Sequence, residues 1–502
     1  MSDENVKIID TSNIVEKPVE EGNLFENRKK INQRYMGDFE ITIFIQAYNR
    51  LEKTKACIDS VMKYTADFKF KLLLVDNGSD DGTFEYFKEI KFSPKKIIRL
   101  TENKGSVLAN DIGFKECDTK YVAAITNDVV VTKDWLDNML KCAESDERIG
   151  QVNPVVTNSS NYYLEALPEI NTLEEAEKYG IAHNHSDGRL WAERFRNPSL
   201  CYLLRKEAIE AAGGVDVGFY HEFLEDDFQI RMRRAGYKVV LAEDTFVHHN
   251  HYMQERDMQK AMRSTEGGHR NYLEKHRGIE PWSDMDNYIY PYIKNIECCK
   301  ECPKILGIDT RCGQPILDMK NRYRRDGIEV NETDIFAYTN DAKYYDMLRT
   351  ITSNVVSNQG NDALLSYYKT NSFDAIVIGE VINMYDNPVK FLGNVLGLLK
   401  KGGTLVVSLY NVYDFHALFA STIDPMWRNR NGYVQLHYND ILEKLDLEKA
   451  ERVEVYNTFH MVTGELQDII LKVNNMIREL EADPEEIYQR LLTEKYWFCV
   501  KK

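Results

Sequence analysis

Short apolar runs alternate with polar turns in the first part of the chain. The runs are Ile41–Ile45, Lys71–Val75, Lys96–Leu100 and Tyr121–Ile125. Runs of this length, rich in β-branched residues and bounded by turn residues, predict buried strands. Apolar residues at helical spacing over 51–63 predict a helix between the first two strands. Strands that alternate with helices indicate an α/β domain with a mainly parallel sheet, and such sheets bind ligands at the carboxyl ends of their strands.

A second pattern of the same kind begins after residue 300. Its predicted strands are Ile305–Ile308, Ile328–Val330, Phe373–Ile378, Thr404–Leu409, Arg452–Tyr456 and Tyr496–Val500. A helical stretch over 388–400 separates two of these strands, and a helical insert covers 464–494. The two patterns predict α/β domains at 38–275 and 304–502, joined by a linker or interface at 276–303. Residues 1–37 are mostly polar and predict a flexible or loosely packed leader.

Composition excludes several classes of protein. The 502 residues carry 64 Lys and Arg against 80 Asp and Glu, a formal net charge of −16, so we expect no general binding to nucleic acid. No apolar run reaches the roughly 20 residues that span a bilayer, which leaves peripheral association as the membrane contact to consider. The polar start, Met1–Lys17, does not read as a secretory signal peptide. Nine cysteines are too few for a disulfide scaffold, so we expect a cytoplasmic protein with reduced thiols.

Polar motifs follow the predicted strands of the first domain in a fixed order. They read Ala47-Tyr48-Asn49-Arg50, Asp76-Asn77-Gly78-Ser79-Asp80-Asp81-Gly82, Asn103-Lys104-Gly105, Thr126-Asn127-Asp128 and Glu225-Asp226-Asp227. Over residues 38–275 this series resembles the family 2 inverting glycosyltransferases. The resemblance implies a Rossmann-like GT-A fold and the transfer of a sugar from a nucleoside-diphosphate donor, with a UDP-linked sugar as the first choice, to a hydroxyl group.

The resemblance also assigns roles to individual residues. It places the nucleotide sugar against Ala47, Tyr48, Asn49, Arg50, Asp76, Asn77, Lys104, Gly105, Asn127 and Gly214. It places a divalent cation, Mn²⁺ or Mg²⁺, on Asp128 and on a later imidazole, with His248 as the first choice and His249 as the second. Such a cation stabilises the negative charge that develops on a diphosphate leaving group. The family's Asp-x-Asp motif reads Thr126-Asn127-Asp128 here, so one acidic ligand is missing.

The acceptor hydroxyl must lose a proton as it attacks the anomeric carbon, and the resemblance implies a carboxylate as the general base. Asp226 is the first choice, by likeness to a Glu-Asp pair in the family. Counting back from Arg231 shifts the register by one residue and favours Glu225 or Asp227, so all three stay open. Three acids also suit a helix amino terminus without any catalytic role, because they complement the helix dipole.

The second domain contains a different set of motifs. Phe373–Ile382 and Leu399–Ser408 resemble segments of class I S-adenosylmethionine-dependent methyltransferases, a resemblance that spans about 300–502. It implies a second Rossmann-like fold and places the cofactor against Gly313, Asp334 and Glu380. A glycine-rich loop normally lets the backbone approach the methionine part of this cofactor. In the segment 305–315 only Gly313 keeps a family-like place, and Pro315 replaces an aligned glycine.

These motifs lead to one hypothesis and two alternatives. We expect a metal-dependent inverting glycosyltransferase of the hexosyltransferase type that modifies a bacterial surface glycan or protein, and a bifunctional enzyme if the second domain still transfers methyl groups. The altered Asp-x-Asp motif and the altered 305–315 loop motivate a non-catalytic scaffold or glycan-binding protein built from degenerate nucleotide-binding folds. In a further alternative only the second domain is active and the first holds a glycan for methylation.

Overall fold

The chain folds into two α/β units. The computed structural model describes residues 5–12, 14, 38–159, 167–219, 223–250, 266–298, 302–418, 432–460, 468, 472 and 484–502. The chain divides into an amino-terminal unit, residues 1–286, and a carboxyl-terminal unit, residues 287–502. Each unit is built around one mainly parallel sheet, as the alternation of strands and helices predicts.

The described part of the amino-terminal unit forms one ten-stranded sheet flanked by helices. The strands are β1 (Val6–Ile9), β2 (Ile41–Ala47), β3 (Phe70–Asp76), β4 (Lys95–Leu100), β5 (Tyr121–Thr126), β6 (Val129–Val130), β7 (Ile149–Val156), β8 (Trp191–Arg194), β9 (Cys201–Arg205) and β10 (Lys238–His249). The helices are α1 (Leu51–Tyr64), α2 (Thr83–Glu89), α3 (Ser106–Glu116), α4 (Trp135–Ser145), α5 (Leu173–His183), α6 (Lys206–Ala211) and α7 (Leu224–Arg234), and residues 266–275 are also helical.

The strand order brings the carboxyl ends of the parallel strands to one edge of this sheet. The order is β1-β4-β3-β2-β5-β9-β7-β10-β6, with β8 also paired to β10. Strands β1 to β5 are parallel to one another. Strand β9 runs antiparallel to both of its neighbours, β5 and β7. Because β10 is parallel to β7, it points the same way as β5. The carboxyl ends of β2, β3, β4, β5 and β10 therefore share one edge.

Alternation along the strands supplies an apolar core on both faces of the sheet. On one face, Ile43 and Leu72 pack in a buried cluster with Trp135 of α4. On the other face, Phe44 packs with Phe114 of α3 in a second cluster. Successive residues of a strand point to opposite faces, so two fully buried faces read as the continuous apolar runs seen in the sequence.

The amino-terminal leader is partly ordered, which the sequence did not predict. Val6–Ile9 pairs in parallel with β4, with Val6 opposite Ile97. Four residues are too few for a periodic signal within a polar segment, and pairing with the edge of a sheet provides the hydrogen bonds that fix them. Apart from residues 5–12 and 14, the leader up to residue 37 lies outside the described residues.

The described part of the carboxyl-terminal unit has a seven-stranded sheet. Its strands are β11 (Ile305–Ile308), β12 (Ile335–Thr339), β13 (Asn354–Ser357), β14 (Phe373–Val381), β15 (Leu399–Tyr410), β16 (Arg452–Phe459) and β17 (Thr493–Lys501). Its helices are α8 (Tyr290–Ile293), α9 (Gln314–Arg325), α10 (Tyr345–Leu348), α11 (Leu364–Tyr367), α12 (Pro388–Leu398), α13 (Tyr438–Leu447) and α14 (Pro484–Leu492). The order is β13-β12-β11-β14-β15-β17-β16, parallel from β13 to β15 and antiparallel thereafter.

One predicted strand of this unit is wrong. Ile328–Val330 forms no strand, and the second strand of the sheet is β12, which begins five residues after Val330 at Ile335. Both segments are short apolar runs, and pattern alone does not decide between them. The helical insert predicted at 464–494 contains α14 near its end, while most of its remaining residues lie outside the described residues.

Gly78 provides a test of how closely the loops after β3 and β4 pack. Its φ is +78°, and an added Cβ would lie 2.6 Å from the carbonyl carbon of Glu102. Gly278 has a similar φ of +76° with no atom within 4 Å of an added Cβ, so Gly278→Ala is the matched control. We expect Gly78→Ala to destabilise the protein by about 3 kcal/mol and the control by about 1 kcal/mol, in calorimetric melting. Equal effects would show that the two loops can move apart.

Candidate active site

The loops that follow the central strands of the amino-terminal unit contact one another. The backbone N–H of Asn49, after β2, donates to Ser79 Oγ, after β3, at 2.9 Å. Asn77 Nδ2, also after β3, donates to the carbonyl of Gly105, after β4, at 3.0 Å. Asn127 Nδ2, after β5, donates to the carbonyl of Asn49 at 2.8 Å. Four loops from four parallel strands therefore form one polar surface at the edge where α/β sheets bind ligands.

Asp128 lies at the centre of this surface. Arg50 Nη1 donates to its Oδ2 at 2.8 Å, Thr126 Oγ1 donates to its Oδ1 at 3.0 Å, and His249 Nε2 lies 3.5 Å from Oδ2. Burial by itself raises the pKa of the Asp128 carboxyl, but His249, Thr126 and Arg50 together hold that pKa below its usual range. Asp128 is therefore a carboxylate, and it is within reach of the end of β10.

The two histidines at the end of β10 differ in what they face. His248 Nδ1 lies 2.8 Å from Thr157 Oγ1, and burial together with His249 lowers the pKa of His248 to about 4. His249 Nδ1 lies 3.1 Å from the carbonyl of Asn158. A carbonyl only accepts, so Nδ1 carries the proton in that contact, and Nε2 is the ring nitrogen that faces Asp128. The structure thus brings His249, our second choice for a metal ligand, to Asp128.

A cation at this site would have two protein donors. No group of three or more His, Cys, Asp or Glu side chains that could hold a metal ion occurs among the residues the structure describes. One carboxylate and one imidazole nonetheless fit Mn²⁺ or Mg²⁺ beside a diphosphate, because these ions complete their shells with substrate phosphates and water. Thr126, which stands where the family has a second acid, donates to Asp128 instead.

The residues assigned to the nucleotide sugar line the same loops with different exposure. Tyr48 is 45% exposed, whereas Ala47 is buried. Asp76 is completely buried, and burial raises the pKa of its carboxyl, although Ser79 and Arg99 act against that rise. Arg99 donates to Asp76 and Ser79 N–H donates to Asp76 at 3.0 Å.

Two other residues assigned to the nucleotide sugar are tied to neighbouring groups. Lys104 Nζ pairs with Glu102 at 2.8 Å. Gly214 has a φ of +78°, and its carbonyl accepts from Arg231 Nη1 at 2.8 Å. Both residues stay predictions as donor contacts.

The three successive acids occupy the first turn of α7 and have different surroundings. Asp226 is buried and accepts from Arg196 Nε, while Arg196 Nη1 also donates to Asp286 at 2.8 Å. Glu225 is half-buried. Successive helix positions point about 100° apart, so neighbouring acids face different environments.

Asp227 has no exposed surface and is held by the side chains of Arg231, Lys275 and His276. Its Oδ2 accepts from Arg231 Nε at 2.9 Å and Nη2 at 2.7 Å, and its Oδ1 lies 2.6 Å from Lys275 Nζ and 2.9 Å from His276 Nε2. Burial opposes ionisation, but Arg231, His276 and Lys275 hold the pKa of Asp227 well below its usual range. Asp227 therefore ties α7 to the helical segment 266–275 and the residue that follows it.

In the carboxyl-terminal unit, two of the three predicted cofactor residues lie at the expected edge. Gly313 has a φ of +109° and precedes α9, and Glu380 is near the end of β14. Asp334, predicted to follow the second strand, instead precedes β12 and lies at the opposite end of that strand. The prediction was wrong because it took 328–330 as the strand. The acid that follows β12 is Asp341, whose Oδ1 accepts from Lys343 N–H at 2.9 Å.

Side chains of the loop after β11 extend across the predicted cofactor site. Arg311 Nε and Nη2 donate to Oε1 and Oε2 of Glu380 at 2.7 and 3.3 Å. Asp309 accepts from Asn340 N–H at 2.7 Å, from Asn340 Nδ2 at 3.0 Å and from the hydroxyl of Tyr385 at 2.9 Å. These contacts link the carboxyl ends of β11, β12 and β14, so the residues present do not fit S-adenosylmethionine.

Sequence reasoning missed the residues that orient the candidate site. Arg99, Thr157 and Asn158 hold Asp76, His248 and His249, respectively. Each of the three is far in sequence from the residue that it contacts, so the contact becomes visible only in the folded structure. Arg311 carried a usable signal, because it stands in the loop where glycine was expected.

The fold and the site define a chain of two Rossmann-like units. Residues 42–211 match the family model described as glycosyl transferase family 2, and residues 322–407 match a model described as a methyltransferase domain. The chain therefore contains a glycosyltransferase family 2 domain followed by a methyltransferase domain. None of the helices in the described residues has the length and apolar character that crossing a bilayer requires.

Several known proteins are similar to parts of the chain. The poly-beta-1,6-N-acetyl-D-glucosamine synthase of Staphylococcus aureus (strain COL) is 26% identical over 206 residues, which cover 40% of this chain and 47% of that protein. The chain thus spans about half the length of the curated relatives it matches. S. aureus TarS 1–349 in complex with UDP-GlcNAc has a TM-score of 0.33 at 14% identity, covering 50% of this chain and 72% of that fragment. A SAM dependent methyltransferase from Archaeoglobus fulgidus has a TM-score of 0.31 at 17% identity, and the match covers 46% of this chain and 98% of that protein.

The network around Asp227 predicts a pH-dependent contribution to stability. A carboxyl with a lowered pKa in the folded state stabilises the protein above its unfolded pKa of about 4 and loses that contribution as the pH falls further. We expect Asp227→Asn to destabilise the unit by about 3 kcal/mol at neutral pH, because it leaves buried cations without their anion. In calorimetric melting, the difference from the wild type should shrink between about pH 5 and pH 3.

The exposed Asp67 provides the control for this measurement. Asp67→Asn should leave the melting temperature almost unchanged at every pH, since surface substitutions have small effects. A difference between Asp227→Asn and wild type that stays constant down to pH 3 would contradict a lowered pKa for Asp227.

Proposed function

We propose that the amino-terminal unit is a metal-dependent inverting glycosyltransferase that moves a sugar from a UDP-linked donor to a hydroxyl of a glycan or protein. The observation that carries the proposal is the meeting of Asp128 and His249 at the edge where four loops converge. UDP-N-acetylglucosamine is the first donor to test, because the relative named above is a synthase of an N-acetylglucosamine polymer.

Asp128 and His249 are the residues that would hold Mn²⁺ or Mg²⁺. With Nδ1–H fixed on the carbonyl of Asn158, Nε2 is the nitrogen of His249 left to ligate a metal ion, and it lies 3.5 Å from Oδ2 of Asp128. When bound, the metal ion stabilises negative charge on the departing diphosphate. Arg50 forms an ion pair with Asp128, and its side chain is 40% exposed. The guanidinium can therefore also donate to a phosphate oxygen of the donor.

Glu225 is the general base that the burial of the three acids favours. Asp226 is held by Arg196, and Asp227 is buried against Arg231, Lys275 and His276, so neither presents its carboxylate to an incoming acceptor. Glu225 is half-buried and lies one residue before them at the start of α7. This preference departs from Asp226, the first choice from the sequence, and Glu225 is one of the two residues that the register counted from Arg231 favours.

The reaction then needs one proton transfer and one displacement. The acceptor hydroxyl gives its proton to Glu225 as its oxygen forms a bond to the anomeric carbon. The bond from that carbon to the diphosphate breaks on the opposite face, so the configuration at the anomeric carbon inverts. Asp227 fixes the first turn of α7 through Arg231, Lys275 and His276, and this network positions Glu225 without touching the substrate.

Methyl transfer is not part of this mechanism. The carboxyl-terminal unit has the fold, but Arg311 and Asp309 cross the site where S-adenosylmethionine would bind.

The metal site predicts a selective loss of activity. Asp128→Asn keeps the side-chain shape and removes the charge, so UDP release from UDP-N-acetylglucosamine with Mn²⁺ should fall about 100-fold or more. The melting temperature should stay close to wild type, because Arg50 remains partly exposed to water. Asp137→Asn, at an acid of α4 whose side chain is 43% exposed, is the control and should keep full activity. Wild-type protein that releases UDP from no member of a UDP-sugar panel would refute the proposal.

The adjacent histidines form a matched pair for the same test. His249→Ala should raise the Mn²⁺ concentration for half-maximal activity about 10- to 100-fold, whereas His248→Ala should change it little. Electron paramagnetic resonance of Mn²⁺ with the protein and UDP measures binding without turnover. Equal weakening in both variants would argue against His249 as the ligand.

The choice of base predicts different kinetics for two neighbouring acids. Glu225→Gln should lower kcat about 10²- to 10⁴-fold and leave the KM for the donor within a few-fold of wild type, because proton removal is lost while donor binding is kept. Asp226→Asn should lower kcat less and lower the melting temperature, since it removes a buried partner of Arg196. A larger loss of kcat in Asp226→Asn at unchanged stability would reverse the assignment.

A further inference from the structure

The loop that follows β11 keeps the backbone path of a glycine-rich loop with side chains in place of glycine. Asp309, Arg311 and Gly313 alternate along the loop, and their φ angles are +49°, +54° and +109°. Glycine adopts positive φ without strain, whereas an ordinary side chain is disfavoured there. Residues are held in this region only where surrounding contacts fix them. The contacts of Asp309 and Arg311 therefore hold the backbone of this loop in place.

Both side chains are fixed across the carboxyl end of the sheet. Arg311 reaches from the end of β11 to Glu380 on β14 and forms a two-point ion pair. Asp309 reaches the other way to Asn340, after β12, with two hydrogen bonds, and it also accepts from Tyr385. Strand β11 lies between β12 and β14, so the two side chains together cover all three strand ends.

The loop also lies directly on the neighbouring strand. A Cβ added at Gly379 of β14 would lie 2.5 Å from Thr310 Cα and 2.6 Å from the Asp309 carbonyl oxygen. The backbone of the loop is therefore in contact with the backbone of β14. The loop has no room to move toward β14. A ligand at this edge would therefore have to displace the side chains of Asp309 and Arg311.

We propose that the carboxyl-terminal unit does not bind S-adenosylmethionine, because Asp309 and Arg311 occupy its place. The unit keeps the strand order of a methyltransferase fold, and its own ion pair and hydrogen bonds stand where the methionine part of the cofactor would lie. Binding would require the Arg311–Glu380 ion pair to separate and Asp309 to leave three donors.

Isothermal titration of the full-length protein with S-adenosylmethionine and S-adenosylhomocysteine tests this proposal. Wild type should show no saturable heat and no rise in melting temperature up to millimolar ligand. The Asp309→Gly, Arg311→Gly double variant restores glycine at both positions and should gain measurable binding of both compounds. An Asn358→Gly, Asn371→Gly double variant is the control, since these residues share positive φ angles of +57° and +52° in the same unit.

Each outcome of this experiment decides part of the proposal. Micromolar binding of either compound by wild type would overturn it. A folded Asp309→Gly, Arg311→Gly variant that still binds neither compound would overturn the assignment of the closure to these two side chains. If circular dichroism shows that the double variant is unfolded, Arg311→Gly alone replaces it, because that change removes only the ion pair and should still produce a gain over wild type. All readouts are binding, so the result does not depend on glycosyl transfer.

Discussion

The carboxylate of Asp128 is the group on which the amino-terminal site depends. It has almost no exposure to water, and a buried carboxylate stays ionised only when cations and hydrogen-bond donors surround it. Its partners come from three places in the chain: Arg50 after β2, Thr126 at the end of β5 and His249 at the end of β10. One carboxylate thus contacts residues from the ends of three strands that are far apart in the sequence. The residues can come together because the carboxyl ends of β2, β5 and β10 lie at the same edge of the sheet.

The sequence predicted those parts of the fold that carry a local signal. Strands β2, β3, β5 and β11 are mostly apolar runs, β4 has an apolar centre, and the bounds of all five were predicted to within one or two residues. Strand β7 was not predicted, because Gln151, Asn153 and Pro154 interrupt its apolar pattern. These polar residues are buried all the same, since Gln151 donates to Asn153 Oδ1 at 2.8 Å and Asn153 donates to the carbonyl of Pro198 at 2.9 Å. Only partners distant in sequence explain such a strand.

The site was predictable to a similar degree. Motifs placed Asp128 and the acids of α7 in one region, but they did not distinguish His248 from His249 or order Glu225, Asp226 and Asp227. Those choices depend on Asn158, Arg196 and the helical segment 266–275, none of which is near its partner in sequence. In the carboxyl-terminal unit, Asp334 was misplaced because two short apolar runs competed for one strand. The carboxyl edges of the two sheets thus differ. Polar loops line this edge in the amino-terminal unit, whereas Asp309 and Arg311 cross it in the carboxyl-terminal unit.

Strand β1 changes what the amino-terminal sheet presents to other molecules. Without it, the backbone groups of β4 would be an unpaired edge, and such an edge recruits strands from other chains. Val6–Ile9 covers that edge, and Lys7 pairs with Glu116 beside it. The new edge is only four residues long and carries a lysine, two features that discourage further strand addition. A segment that reads as a polar tail thereby gives the ten-stranded sheet a short, charged edge, which disfavours pairing with a strand of another chain.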